Sequence, residues 1–325
     1  MLPRLSVFAS RSSAPRQWDL PTFVDAVKAS GFAGVEMSLA DLRDDMKQKA
    51  MADAIRSQGL QLIVNISSVP SISTTTTPSP LDHVKTFESQ LHRVSALGNV
   101  VSHINCTESG DNRWDVATSA EYLGEVLPLS AQFLEGHPHI GRYGRETDIM
   151  GGSPHHLTGI SHETNARGMF HHPDVVMDLM EILPPIRITS DIQQWHDVCG
   201  YQWGFGTNAI REDDSREELE ALVVPHVDHI RASMMGGTLA PDDAIAPHEE
   251  LWRFVWNRKA SRGVEQVMIT PMITPMITPD LHTSSASDAA AEDSLLWEQA
   301  KEAADYIRRS YDDWKESHGD SAIDK

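Results

Sequence analysis

GISHETNARGMFHHP at residues 159–173, and ITSDIQQWHDVCG at residues 188–200, decide how this chain is read. Ile160–Glu163 is a short β-type run that ends on a carboxylate, and Pro173–Ile182 reads as a helix. Ile186–Ser190 is a second β-type run, followed at once by Asp191. Strand, helix and strand in succession are the unit of a parallel sheet with crossover helices, in which chemistry gathers at the C-terminal ends of the strands.

The same alternation runs outward in both directions. Upstream, Leu5–Ala9, Val35–Ser38, Leu60–Ile66 and Val100–Ile104 read as strands. Three helices lie between them and a fourth follows the last. Asp19 caps the first, which carries Pro21 in its first turn and ends at Gly31; Leu42–Gln58 is stopped by Gly59, and Leu81–Leu97 by Gly98. The fourth, Asp115–Leu134, is kinked or broken near Pro128. Downstream, His229–Ala232 and Gln266–Thr270 are strands seven and eight, separated by a helix at His248–Arg262, and Ala289–Trp314 is a closing helix. Eight strands make a (β/α)8 TIM barrel the expected α/β fold: one domain over residues 1–314, with a proline-rich loop at 271–288 and a polar tail at 315–325. Periodicity alone also fits a doubly wound open sheet.

Composition narrows the partners. The 325 residues are 40% hydrophobic, enough for one large core. A formal net charge of −20 and a pI near 5.1 leave no basic surface for nucleic acid or an anionic membrane, so a small-molecule substrate is expected. No apolar run reaches the roughly 18 residues that span a bilayer. Cys106 and Cys199 are too few for a disulfide scaffold and lack metal-ligand spacing, which points to a reducing, cytoplasmic interior. Leu2–Arg16 is basic and serine-containing like a transit peptide, but Leu5–Ala9 within it reads better as the first strand. A homo-oligomer is compatible with all of these features.

Two irregular stretches and one repeat interrupt the rhythm. Ser67–Pro80 is a Ser/Thr/Pro-rich loop where a barrel places active-site loops. Gly136–Gly159 carries His137, His139, His155 and His156, read as a solvated loop in preference to a metal cluster. Residues 268–279 read Met-Ile-Thr-Pro three times. Proline at every fourth position excludes a helix, so only the first copy is expected in the strand. The later copies should form an extended loop over the barrel mouth, with Met272 and Met276 lining an apolar surface.

The two quoted segments resemble the sugar phosphate isomerase/epimerase family of xylose-isomerase-like barrels. GFAGVEMSL at 31–39, INCTESGDNRWD at 104–115, VDHIRAS at 227–233 and the Thr-Pro step after strand eight extend the resemblance, in order, over most of the chain. It implies a divalent metal held by Glu, Asp, His and Glu from strands five to eight. Glu163 and Asp191 match the first two ligands. Arg231 stands in place of the third, in His229-Ile230-Arg231-Ala232. Met272 stands in place of the fourth, with Asp280 as the alternative on a later repeat copy, and Gln194 and Asn165 replace two further family histidines.

A guanidinium has no lone pair for a metal, and a thioether is too soft for Mg2+ or Mn2+. Carboxylates facing each other raise one another's pKa unless a cation lies between them, and an arginine fork can be that cation. Arg231 is therefore expected at or beside the metal position, bridged to Glu163, Asp191 or both. Three roles are open to it. It can be a fixed electrophile while a carboxylate or His196 moves protons, or a neutraliser of relict carboxylates in an inactive barrel. It can also neighbour a relocated Mn-, Mg- or Zn-type metal held by Glu163 and Asp191 with His196, His229 or Asp280. The expected cofactor is none, or one divalent metal. Glu36, Asn105, Trp114, Gln194 and His229 are candidates for substrate contact, with a mouth salt bridge the plain alternative for Glu36 and loop packing for Asn105 and Trp114. His162 precedes Glu163 and should face the other side of its strand. The functional expectation is an isomerase, epimerase or lyase acting by proton transfer on a polyhydroxylated or carbonyl-bearing small molecule. The alternatives are a non-catalytic or repurposed ligand-binding barrel and a natural-product enzyme catalysing a different rearrangement; an endonuclease ranks last.

Overall fold

A computed structural model describes residues 2–41, 45–70, 78–108, 113–141, 159–165, 167–183, 186–191, 194–195, 223–235, 242–261, 264–274 and 286–319. Eight parallel strands pair in chain order: β1 Arg4–Ser10, β2 Gly34–Ser38, β3 Gln61–Ser67, β4 Val101–Thr107, β5 Ile160–Glu163, β6 Ile188–Ser190, β7 Val227–Met235 and β8 Gln266–Thr274. β8 returns to β1 and closes the barrel. The open-sheet alternative is thereby excluded. Around the strands lie α1 Leu20–Ala29, α2 Asp45–Ser57, α3 Pro80–Ser95, α4 Val116–Gly136, α5 Pro173–Ile182, α6 Asp242–Ser261 and α7 Ala286–Gly319. Among the described residues no helix is long and apolar enough to cross a membrane.

The cap read at Asp19 is present, and the structure adds two more. The Asp19 carboxylate accepts from the Thr22 N–H at the start of α1, Ser79 and Asp82 form a reciprocal capping box on α3, and Asp115 accepts from the Thr118 N–H on α4. Three expectations change. α4 runs through Pro128 unbroken. β8 takes in the second Met-Ile-Thr copy, pairing Pro271 with Ala232 and Thr274 with Met235. From Thr270 onward β8 pairs with β7 alone, since β1 reaches only Ile269. A missing N–H is tolerated in such an edge-like strand. α7 continues past Trp314 to Gly319, so the start of the supposed polar tail is helical. There Trp314 and His318 stack with ring centroids 5.0 Å apart, and the Trp314 Nε1–H donates to Asn257 Oδ1 at 2.8 Å. The first part of the proline-rich loop is thus strand and its last part helix; residues 275–285, including Met276 and Asp280, lie outside the described residues.

Strand alternation sorts side chains into the barrel or toward the helices. At the closed end, Gln266 donates to Ser6 Oγ at 2.7 Å and Gln61 Oε1 at 3.0 Å. Phe8, Ile63 and Met268 form the apolar layer above. Gly34 makes that layer possible, because a Cβ there would sit 2.3 Å from the Gln61 carbonyl oxygen and 2.6 Å from the Phe8 ring. Gly34→Ala is expected to cost about 1–3 kcal/mol in urea denaturation by overpacking. An unchanged midpoint would show that the layer is not packed this tightly.

Candidate active site at the barrel mouth

Above the apolar layer the interior turns polar. His103 Nε2 lies 2.7 Å from Ser161 Oγ, Ser161 Oγ lies 2.5 Å from Thr189 Oγ1, and His229 Nε2 lies 2.9 Å from Thr270 Oγ1. Burial is the main force on both imidazoles, holding His103 at about 4 and His229 at about 3, so both are neutral at physiological pH.

One turn of the pleat higher sits the charged cluster. The Arg231 Nε–H and Nη2–H groups both donate to Glu36 Oε1, at 2.8 and 2.5 Å, and Nη1 donates to Glu163 Oε1. Glu36, Glu163 and Arg231 are each no more than 9% exposed. The guanidinium thus ties β7 to β2 and to β5 across the mouth. Asn65 donates to Glu36 Oε1 at 2.9 Å and accepts from Asn105 at 3.2 Å, while the Thr107 hydroxyl donates to Glu163 Oε2 at 2.6 Å. Burial works to raise the Glu36 carboxyl. The Arg231 charge, His229, Thr270 and Asn65 together hold it at about 2.

Asp191 behaves differently. Its backbone is pinned by Thr164, whose hydroxyl accepts from the Asp191 N–H at 2.6 Å, and its Oδ2 accepts from Ser233 at 2.8 Å. Oδ1 is buried without a hydrogen bond among the described residues. Burial first, then the neighbouring Glu163 charge, push its pKa up to about 7 against the opposing pull of Ser233 and Arg231.

Arg231 therefore bridges Glu163, as expected, but its second partner is Glu36 rather than Asp191. The strand ends explain why. Asp191 lies one residue past β6, and Ser233, two residues beyond Arg231 on the same face of β7, reaches it instead. Glu36, Asn105 and His229 join the cluster. Gln194 approaches it through its backbone N–H, which donates to the Asp191 carbonyl at 3.2 Å, and its side chain also acts on the Asp191 carboxyl, lowering its pKa. Trp114 takes the packing arrangement named as its alternative: its ring lies edge-on to His83 at 4.8 Å and Tyr122 at 5.3 Å. His196, Cys199, His155 and His156 lie outside the described residues. Asn65, Thr107 and Ser233 went unnamed in the sequence. Their parity with inward-facing neighbours two residues away was the signal for Asn65 and Ser233. A cavity of about 900 Å3 opens beside the cluster, lined in part by Ser10, Arg11, Glu36, Asn65 and Met272.

The divalent metal implied by the sequence resemblance does not fit the described residues of this mouth. The guanidinium takes up one oxygen each of Glu36 and Glu163, and Met272 offers a thioether where a carboxylate would be needed. Among the described residues, the one group of three His, Cys, Asp or Glu side chains close enough to share an ion lies elsewhere.

Solved structures with this architecture include D-psicose 3-epimerase from Clostridium cellulolyticum H10, in crystals with D-tagatose, at 12% identity over 94% of this chain and 99% of that one, TM-score 0.57. A fusion protein of a xylose isomerase-like TIM barrel with 4-hydroxyphenylpyruvate dioxygenase matches at 12% identity over 89% of this chain and 41% of that one, TM-score 0.52. The chain has the xylose-isomerase-like barrel fold. An AP endonuclease of family 2 from Brucella melitensis shares this fold at 15% identity over 85% of this chain and 94% of that one, TM-score 0.50. The xylose-isomerase-like barrel therefore hosts unrelated chemistries, and the site must carry the functional argument. No family profile and no curated protein matches the sequence.

Folding raises the Asp191 pKa from 3.8 to about 7. The stability this group lends is full below pH 4 and is lost as pH rises through 7, because between those values the folded state holds a proton that the unfolded chain has released. His103 and His229 act in the opposite sense below about pH 6.5, but they cancel in a comparison with Asp191→Asn. The stability of wild type minus that of the variant should fall by a few kcal/mol, on the order of 1–4, between pH 4 and pH 8. A pH-independent difference would show that Asp191 is not proton-bound in the fold.

Proposed function

We propose that the chain is an isomerase or epimerase, or a lyase using the same proton abstraction, acting on a polyhydroxylated, carbonyl-bearing small molecule with Arg231 in place of a metal ion. The observation that carries the reading is the Arg231 clamp beside Asp191, a carboxylate with one bare oxygen. Three of the five guanidinium N–H groups go to Glu36 and Glu163. Among the described residues the other two have no acceptor, and a substrate oxygen can take them. A fixed cation there stabilises the enolate oxygen that forms when the adjacent carbon loses its proton. Asp191, poised near neutrality, is suited to take that proton and return it. A single carboxylate fits the isomerase reading, in which the proton moves between adjacent carbons on one face of the substrate; an epimerase would need a second proton donor on the opposite face.

The polyhydroxylated class is supported by three buried acceptors without donors among the described residues: Glu36 Oε2, Asn105 Oδ1 and Asp191 Oδ1. Such atoms are normally satisfied, and substrate hydroxyls supply the missing donors. The D-psicose 3-epimerase that shares the fold is a sugar enzyme, which agrees with this class. A small molecule is accordingly the partner, and nucleic acid is not.

The compensated charge of Arg231 favours one second reading: a barrel that binds a polyol without turning it over. Proton NMR in deuterium oxide, with chelator-treated protein and a panel including D-tagatose and D-fructose, separates the two. Exchange of the proton next to the carbonyl supports catalysis. Binding without exchange favours the second reading, and exchange that needs added Mn2+ would remove Arg231 from the metal's role. Arg231→Lys, which keeps the charge but loses the fork, should lower kcat/KM roughly 10²- to 10³-fold.

A further inference from the structure

Alternation gives β5 an outer surface as well as an inner one. Glu163 points into the barrel, so its neighbour His162 points toward the helices, as do Cys106 and Glu108 from the end of β4. There His162 Nδ1 meets Glu108 Oε1. One donor atom from each of Cys106, Glu108 and His162 lies within 4.8 Å of the others, and the three residues are at most 2% exposed. Tyr122, from α4, is fully buried, and its hydroxyl lies against Cys106 and Ser68, with Glu108 close enough to act on it electrostatically. Ser68 is itself engaged by His83 Nδ1 at 3.1 Å.

We propose that Cys106, Glu108 and His162 form a structural zinc site between the barrel wall and the helices, with the Tyr122 hydroxyl positioned as the fourth ligand. The mixed sulfur, nitrogen and oxygen donor set suits zinc, whereas Mg2+ and Ca2+ call for oxygen alone. A thiolate and a carboxylate bring two negative charges to a dry pocket, and a divalent ion makes the assembly neutral. Binding displaces the thiol proton and replaces the His162–Glu108 hydrogen bond with two bonds to the metal. Tetrahedral zinc would require the His162–Glu108 hydrogen bond to open and the more distant donors to close, each by about 1 Å. With every ligand supplied by protein and no solvent-facing position, the ion staples β4 and β5 to α4 and does no chemistry on a substrate.

A metal count alone cannot tell this site from one at the mouth, so the test uses a ligand-specific signal. Protein is produced in cobalt-supplemented medium, since Co2+ bound to a thiolate gives a near-ultraviolet charge-transfer band that carboxylate and imidazole sites lack. The chain has two cysteines, Cys106 and Cys199. The band is expected in wild type and in Cys199→Ala, where Cys106 is intact, at about one ion per chain. It should persist in Asp191→Asn at the mouth and disappear in Cys106→Ala. Absence of the band from wild type, or its loss in Cys199→Ala, overturns the proposal whether or not Cys106→Ala folds. Zinc-supplemented wild type must likewise hold one zinc per chain, and an empty protein is equally decisive against it.

Discussion

The mouth of this barrel depends on one guanidinium held between two carboxylates. Taking Glu36 and Glu163 out of water together costs several kcal/mol per ion, and side by side they would repel. Arg231 meets both costs, and its planar fork fixes a distance between β2, β5 and β7 that a point charge would leave loose. Removing it would strand two buried anions. Among the described residues, a positive charge is already covalently attached between these two carboxylates.

The rest of the interior is arranged to keep that clamp ionised. Neutral His103 and His229, with Ser161, Thr189 and Thr270, form a hydrogen-bonded layer below it that supplies dipoles without adding charge. Asp191 is the exception. It receives a hydroxyl where Glu36 receives a full cation, and its pKa moves in the opposite direction. Two carboxyls in one small volume, driven apart by their partners, are the arrangement from which acid and base roles arise. Behind the wall, strand parity carries a second set of donors from β4 and β5, separated from the mouth by the thickness of the sheet.

Much of the architecture was legible in the chain. Gly31, Gly59 and Gly98 end helices because a left-handed residue costs glycine little, and Asp19, Ser79 and Asp115 begin them by satisfying free N–H groups. These are contacts between residues a few positions apart, so sequence suffices to read them. Pro271 misled the reading because its tolerance depends on whether β1 lies alongside, a matter of sheet register. Trp114 was open to both readings because an aromatic on a loop reads the same whether it faces a ligand or His83.

By itself, the sequence determined eight strands with a carboxylate at the end of the fifth and just past the sixth, and an arginine in the seventh where a metal ligand was expected. Tertiary structure alone decided which groups that arginine would pair. Glu36 lies 195 residues from Arg231 in the chain, and Glu163 lies 68. Asp191, which is nearer in sequence, is held instead by Ser233. Barrel closure and strand register set those meetings, and neither is encoded in any local run of residues.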